Sequence, residues 1–134
     1  MESDERPRII VHRERYAIHR YPPDAEWPPM DLQSPFYSVT RTPMEISVVT
    51  REDPTQAEQP CSPGWRALSL VGPLPFEWVG ILARITRTLA DAQVSIFAIS
   101  TYDTDWFLVK AEALPRTLSA LRAAGYAISG THHG

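Results

Sequence analysis

The residues of this chain that could hold a polar ligand are concentrated between Val94 and Lys110. Two apolar runs, 94–99 and 106–109, flank the polar stretch 100–105, which reads Ser-Thr-Tyr-Asp-Thr-Asp. The β-branched and aromatic residues of the runs favour strands, and the Asp-Thr pair in the stretch supplies turn chemistry. The segment therefore predicts a β-hairpin whose hydroxyl and carboxylate groups crowd one end, where a small polar ligand could be held.

The elements around this hairpin follow the ferredoxin-like order. A strand at 65–71 precedes an amphipathic helix from about Glu77 to Ala92, because apolar residues recur there at three- and four-residue steps. After the hairpin comes a second helix, which starts near Leu114 with Pro115 in its first turn and stops at Gly125. Residues 126–129 give a last strand. The order β-α-β-β-α-β predicts a four-stranded antiparallel sheet with helices on one face.

The N-terminal half contains strand signals but no helix signal. Residues 8–12 and 16–20 predict two short strands, on which His12 and His19 are expected to be surface or rim residues. A proline-rich loop follows, then a second hairpin formed by 36–40 and 45–50. A shift of sixty positions lays residues 38–49 onto 98–109 without gaps, which suggests duplicated units. The linker composition of 53–64 predicts a boundary between units 1–60 and 61–134.

Composition excludes several classes of protein. The chain has 134 residues, is 43% hydrophobic and carries a net charge of −3, so it is globular and has no basic field for nucleic acid or anionic membrane. No apolar run approaches the roughly 18–20 residues that span a bilayer, and the acidic start is unlike a signal peptide. Cys61 is the single cysteine and cannot form an internal disulfide. We therefore expect a cytoplasmic location.

Residue patterns of enzymes are missing. Asp103 and Asp105 form an Asp-x-Asp pair, but two carboxylates leave most of a Mg²⁺ shell unfilled. There is no histidine between His19 and the C-terminal tail to complete a Ser-His-Asp arrangement, and no glycine-rich phosphate loop. RNA-recognition domains share the ferredoxin-like order, but their basic aromatic motif is absent. We therefore expect no catalytic residue, no metal, no cofactor and no nucleic-acid partner.

Three segments carry a resemblance to a known family. They are 65–68 (WRAL), 76–83 (FEWVGILA) and 94–109 (VSIFAISTYDTDWFLV). Together they resemble the ACT-domain family, specifically the short bacterial tandem-ACT proteins and the CASTOR-type arginine sensors. Residues 36–49 resemble the first unit of such proteins, so the similarity covers about 8–130. It implies an α+β fold of two tandem ferredoxin-like, ACT-like βαββαβ units, of which the first is degenerate.

The resemblance also implies that amino-acid ligands lie at the seams between units. Carried over by position, three segments contact the ligand: the loop entering the first helix, the start of the next strand and the hairpin. Their residues are Pro75, Phe76, Glu77 and Trp78, then Ser95 and Ile96, then Thr101, Tyr102 and Asp105. The arginine sensors carry two pairs of units in one longer chain, whereas this chain has one pair. A homodimer would therefore be needed to rebuild the full set.

The chemistry of these residues suits a zwitterion. A helix that starts near Glu77 would offer free N–H groups to a carboxylate, and Gly80 would allow close approach of backbone. Asp105 can accept from an ammonium or guanidinium group, and Tyr102 and Trp78 can form apolar or cation-holding walls. Each residue also has a structural explanation: Asp105 could end a turn, Trp78 could be core, and Thr101 could be a cross-strand residue. Taken together, the resemblance places them in one pocket.

The sequence thus predicts a non-catalytic regulatory sensor of the ACT type. Its ligand is a small molecule, most simply an amino acid, held at an inter-unit or dimer seam. The alternative is a protein–protein interaction or oligomerisation module whose seam holds only side chains.

Overall fold

The computed structural model describes residues 6–27, 30–53, 60–72, 74–75 and 78–130. These residues form an α+β fold of seven strands and two α-helices. In chain order the elements are β1 (Ile9–Tyr21), β2 (Ser38–Arg41), β3 (Ile46–Arg51), β4 (Cys61–Leu70), α1 (Ile81–Asp91), β5 (Phe97–Ser100), β6 (Asp105–Lys110), α2 (Leu114–Ala123) and β7 (Ile128–Gly130). Within these described ranges, neither helix combines the length and apolar character needed to cross a bilayer.

The chain divides into two compact units. The first, which we call the strand unit, contains the described residues of Glu14–Trp65. The second, the helical unit, contains residues 6–13 together with the described residues from 66 to 130. The long strands β1 and β4 each contribute residues to both units.

The sheet of the helical unit has the order β7-β1-β4-β6-β5. The prediction of four antiparallel strands is wrong in one respect, because the first part of β1 lies between β7 and β4. Strand β7 pairs with β1 in parallel, with Ile9 opposite Ile128, and the Val71 amide donates to the Arg8 carbonyl at 2.9 Å. Ile9 is fully buried in the core of this unit. Burial of the Ile9 side chain therefore stabilises the sheet that includes β1 relative to the predicted sheet without it.

The core of the helical unit is apolar and lies between the helices and the sheet. Ile81, Ile85 and Leu89 face inward from α1, which confirms the amphipathic stripe. They pack with Leu121 of α2 and with a set of sheet residues: Ile9, Leu68, Leu70, Phe107 and Val109. Full burial of each large side chain contributes about 1.5–3 kcal/mol. The predicted first-turn proline of α2 and its stop at Gly125, which has φ 96°, are both confirmed.

Helix α1 begins four residues later than the sequence predicted. Gly80, the residue before Ile81, has φ 74° and ψ 21°, a left-handed conformation that a continuing right-handed helix excludes. Trp78 packs against the core from outside the helix. Trp78 lies three residues before Ile81 and therefore continues the apolar stripe beyond the helix. For this reason the predicted start of the helix is too early.

The strand unit is built on the order β2-β3-β1-β4. The predicted hairpin is confirmed: Ser38 pairs with Val49 and Arg41 with Ile46. The two strands predicted for 8–12 and 16–20 are instead one continuous strand, β1. The Glu52 amide donates to the Arg15 carbonyl at 2.8 Å, so the ladder continues where the sequence suggested a break. Among its described residues this unit contains no helix.

Both strand histidines are buried, contrary to the prediction of surface or rim positions. His12 is 8% exposed, its Nε2 lies 2.8 Å from Ser69 Oγ, and its ring stacks on Trp106 with 4.4 Å between ring centroids. His19 is 3% exposed. Side chains alternate between the two faces of β1, and each histidine lies on a face that is buried at its position. Composition alone does not reveal which faces are buried.

Candidate functional site

A cleft of about 180 Å³ lies at the tip of the β5–β6 hairpin in the helical unit. Two segments form it: the connection between β4 and α1, and the polar stretch predicted from the sequence. The described residues that line it are Leu74, Pro75, Trp78, Thr101, Tyr102, Asp103, Thr104 and Asp105. The chemistry-bearing hairpin tip and the helix-entry loop therefore come together in one place.

The tip of the hairpin is shaped by its own hydroxyl groups. The Thr101 amide donates to the Thr104 carbonyl at 2.7 Å, and the Thr104 amide donates to Thr101 Oγ1 at 3.1 Å. Threonine side chains that bond to nearby backbone stabilise turns in this way. Thr101 therefore has a structural role in the turn besides any role in binding.

Two hydrogen bonds join the hairpin tip to the β4–α1 connection. The Leu74 amide donates to the Asp103 carbonyl at 3.1 Å, and Thr104 Oγ1 donates to the Leu70 carbonyl at 2.7 Å. Gly72 makes this approach possible, since a Cβ there would lie 2.8 Å from the Asp103 carbonyl oxygen and 2.9 Å from Thr104 Cβ. Gly72 was missed by sequence reasoning, and its one signal was a glycine directly after a strand.

Asp105 is held at the start of β6. It pairs across the hairpin with Ser100, whose Oγ donates to Asp105 Oδ1 at 2.5 Å. This contact fixes the carboxylate and leaves its second oxygen as a further acceptor. Asp103 adds a second carboxylate, and the described residues of the cleft include no basic side chain. The field of the cleft therefore favours a cationic group.

Aromatic side chains form the other walls. Trp78 is partly buried against the apolar core, and its amide donates to the Pro75 carbonyl at 3.1 Å. Tyr102 is 91% exposed. A fixed indole and a solvated phenol, beside two carboxylates, can contact the apolar stem or the cationic end of a small ligand.

The predicted site residues separate into three groups. Five of them line the cleft together: Pro75, Trp78, Thr101, Tyr102 and Asp105. Three lie elsewhere: Ser95 is exposed, Ile96 packs against the apolar core, and Gly80 precedes α1. Phe76 and Glu77 lie outside the described residues.

The predicted helix start near Glu77 is wrong, because α1 begins at Ile81. The first hydrogen bond of that helix runs from the Arg84 amide to the Gly80 carbonyl, at 2.9 Å. Gly80 is required by its positive φ rather than by crowding, since a Cβ there would meet nothing within 4 Å. Neither Gly80 nor Ile81 is among the described residues that line the cleft.

Comparison with known proteins gives a family match to part of the chain. A family model described as an ACT domain matches residues 61–123. The matched range includes β4, both helices and the hairpin, and so every described residue of the cleft. The ACT-domain family is regulatory and non-catalytic.

Solved structures share this fold over most of the chain. A crystal structure of an Agobacterium tumefaciens protein is 29% identical, covers 96% of each chain and superposes with a TM-score of 0.89. The aspartokinase alpha and beta subunits are 17% identical over 90% of this chain and 98% of that chain, with a TM-score of 0.66. Clostridium acetobutylicum aspartate kinase, an allosteric enzyme, is 12% identical over 84% of this chain and 33% of its own, with a TM-score of 0.62. The chain therefore shares its fold with parts of aspartate kinases.

Proposed function

We propose that this protein is a non-catalytic sensor that binds a small amino acid at the cleft between the hairpin tip and the helix-entry loop. One observation carries the proposal: five residues chosen from the sequence for ligand contact line the same cleft. The match of an ACT domain to residues 61–123 supports a ligand-binding regulatory role.

The cleft suits the cationic end of an amino acid. Its ammonium group, or a basic side chain, would meet the carboxylates of Asp105 and Asp103, and charge-assisted hydrogen bonds of this kind are the stronger ones. The aliphatic part would lie against Trp78, Leu74 and Tyr102. The described lining provides no cation for the ligand carboxylate. A second copy of the chain could provide that partner, and we therefore include a homodimer in the proposal.

Signalling would follow from a shift in the populations of assembled states. A ligand shared between two subunits binds the assembled arrangement better than the separated one, and so favours it.

The proposal also keeps the tandem origin of the chain, with a degenerate first unit at 1–60 and an ACT unit at 61–134. The absence of helices from the described residues of the strand unit is compatible with such degeneration.

The test is isothermal titration calorimetry of the protein against each of the twenty amino acids, with Asp105→Asn and Asp91→Asn compared. Asp91 is an exposed carboxylate on α1, outside the cleft, and serves as the matched control. We expect binding of at least one amino acid, weakened about tenfold or more by Asp105→Asn, because a hydrogen bond to a charged group is lost. Asp91→Asn should bind as the unchanged protein does.

Sedimentation of the same variants distinguishes the sensor from the competing function, an interaction module without a ligand. A sensor keeps its assembly in Asp105→Asn and loses ligand. If no amino acid produces heat and Asp105→Asn alters the oligomeric state, the interaction module is the better explanation.

A further inference from the structure

Thr104 is the residue at which the tip of the β5–β6 hairpin meets the β4–α1 connection. Its side chain bonds outside the hairpin, because Oγ1 donates to the Leu70 carbonyl at 2.7 Å. Its main chain bonds within the tip, where its carbonyl accepts from the Thr101 amide at 2.7 Å and from Thr101 Oγ1 at 3.0 Å. The side chain and the main chain of Thr104 therefore have separate tasks, of which only the first depends on the hydroxyl group.

The position of Thr104 determines where the acidic wall of the cleft lies. Asp103 and Asp105 are its two neighbours in the chain, and all three residues line the cleft. A displacement of Thr104 would therefore carry both carboxylates with it. The opposite wall belongs to the β4–α1 connection and includes Trp78. The width of the cleft thus depends on how closely the hairpin tip is held to that connection.

The acceptor of the Thr104 hydroxyl is firmly placed. Leu70 is the last residue of β4, is 2% exposed and belongs to the apolar core of the helical unit. Gly72 leaves room for the contact, since a Cβ there would lie 2.9 Å from Thr104 Cβ. Beyond it, the Leu74 amide donates to the Asp103 carbonyl at 3.1 Å. To move away from this strand end, the tip must break both hydrogen bonds.

We propose that Thr104 is a positioning residue of the cleft, whose hydroxyl group holds the hairpin tip closed against the β4–α1 connection. A ligand that touches Asp105 on the tip and Trp78 on the connection binds this closed arrangement better than an open one. That step rests on the proposed function of the cleft. Ligand and hydroxyl then favour the same arrangement, so each strengthens the other by the same factor.

The first test is amide hydrogen exchange, measured by NMR without ligand in the unchanged protein, Thr104→Val and Thr104→Ser. Valine keeps the branched shape and removes the hydroxyl, whereas serine keeps the hydroxyl. In Thr104→Val the Leu74 amide should exchange about three- to tenfold faster, because the closed arrangement has lost a hydrogen bond. The Thr101 amide should keep its rate, since its acceptor is the main chain of Thr104. Thr104→Ser should restore the rate at Leu74.

Thr86→Val is the matched control. Thr86 lies on α1, outside the cleft, and its Oγ1 donates to the Ala83 carbonyl at 2.9 Å. This variant loses the same kind of bond and should leave exchange at Leu74 unchanged. A general loss of stability in Thr104→Val would accelerate the Leu74 and Thr101 amides alike. Different responses of these two amides therefore separate positioning from a merely structural role.

The second test repeats the calorimetric titration against the twenty amino acids with the same variants. Thr104→Val should weaken the binding of any amino acid that binds the unchanged protein about three- to tenfold. Thr104→Ser should restore the affinity, and Thr86→Val should not alter it. A saturating concentration of the bound amino acid should also slow exchange of the Leu74 amide in the unchanged protein, because the coupling is reciprocal.

The outcomes distinguish this proposal from the sensor itself. An unchanged Leu74 rate in Thr104→Val, or equal acceleration at Leu74 and Thr101, would overturn the positioning role. Equal affinity of Thr104→Val and the unchanged protein would overturn it as well, while the sensor would stand. If no amino acid binds the unchanged protein, the sensor fails and the coupling to a ligand fails with it. The exchange rates would still decide whether Thr104 holds the tip closed.

Discussion

The two units of this chain differ in how they satisfy their buried polar side chains. In the helical unit, α1 and α2 cover the sheet, and the core is apolar, with Ile85 and Leu89 fully buried. In the strand unit, whose described residues include no helix, buried positions include Tyr16, His19 and the hydroxyl of Thr50. The helical unit also buries polar side chains, but there His12 Nε2 lies 2.8 Å from Ser69 Oγ, and Thr117 Oγ1 donates to the Ala113 carbonyl at 2.9 Å. The comparison teaches that the helical unit pairs its buried polar side chains internally, whereas His19 Nδ1 and Thr50 Oγ1 of the strand unit have no hydrogen-bond partner among the described residues.

The largest effect on stability is expected from a substitution in the apolar core of the helical unit. Ile85→Ala should lower the free energy of unfolding by about 2–5 kcal/mol, because it removes buried methyl and methylene groups and leaves a cavity. Arg87→Ala, two residues away on the exposed face of α1, is the control. Its ion pair with Asp91 is at 4.0 Å and exposed, so the change should be small. Urea unfolding measures both, and an equally small loss in Ile85→Ala would contradict a packed helical core.

The second largest effect concerns the stability of the protein at high pH, through the buried side chain of Tyr16. Burial, with a smaller contribution from the Glu14 carboxylate, raises the pKa of Tyr16 to about 12. The folded pKa lies above the unfolded value of about 10, so the stabilisation is complete below pH 10 and is lost as the pH rises towards 12. The loss is on the order of 2–3 kcal/mol. Tyr16→Phe should abolish that dependence in urea unfolding measured across this range. A Tyr16 phenol that ionises near its ordinary pKa would exclude the explanation.

A smaller effect is expected where the cleft is assembled. Gly72→Ala places a Cβ 2.8 Å from the Asp103 carbonyl oxygen, so the hairpin tip must move away from the β4–α1 connection. We expect a destabilisation of about 1–3 kcal/mol and weaker ligand binding. Gly130→Ala is the control, because the nearest atom to its Cβ is the Val11 carbonyl oxygen at 3.8 Å. Similar thermal shifts in the two variants would mean that the tip tolerates displacement.

Local patterns predicted much of the helical unit. The alternation of the hairpin, the stripe on α1, and the proline and glycine that bound α2 are all properties of neighbouring residues. The insertion of β1 between β7 and β4 depends instead on contacts such as Ile9 with Ile128, more than a hundred positions apart. Alternation states which residues of a strand share a face, but it does not state which strand is the neighbour.

The candidate sites show the same division. The polar hairpin tip could be found because its residues are consecutive. Gly72 could not, since its role depends on the Asp103 carbonyl, about thirty positions further along the chain. His19 and Thr50 show the same limit, because they have no shared spacing and only the pairing of β1 with β3 brings them to one face of the sheet. The start of α1 was misjudged because Trp78 continues the apolar stripe outside the helix.

The smallest effect tests whether the strand unit keeps a neutral imidazole inside. Burial lowers the pKa of His19, so the unfolded chain takes up this proton at a higher pH than the folded chain does. Stability should therefore be unaffected above about pH 6.5 and should fall as the pH decreases below that value. His19→Gln cannot titrate, and subtracting its urea-unfolding free energies from those of the unchanged protein isolates this group. Parallel pH profiles would show that His19 gains its proton without cost. The interior of the strand unit would then be open to water, and the interiors of the two units would differ in hydration rather than in packing.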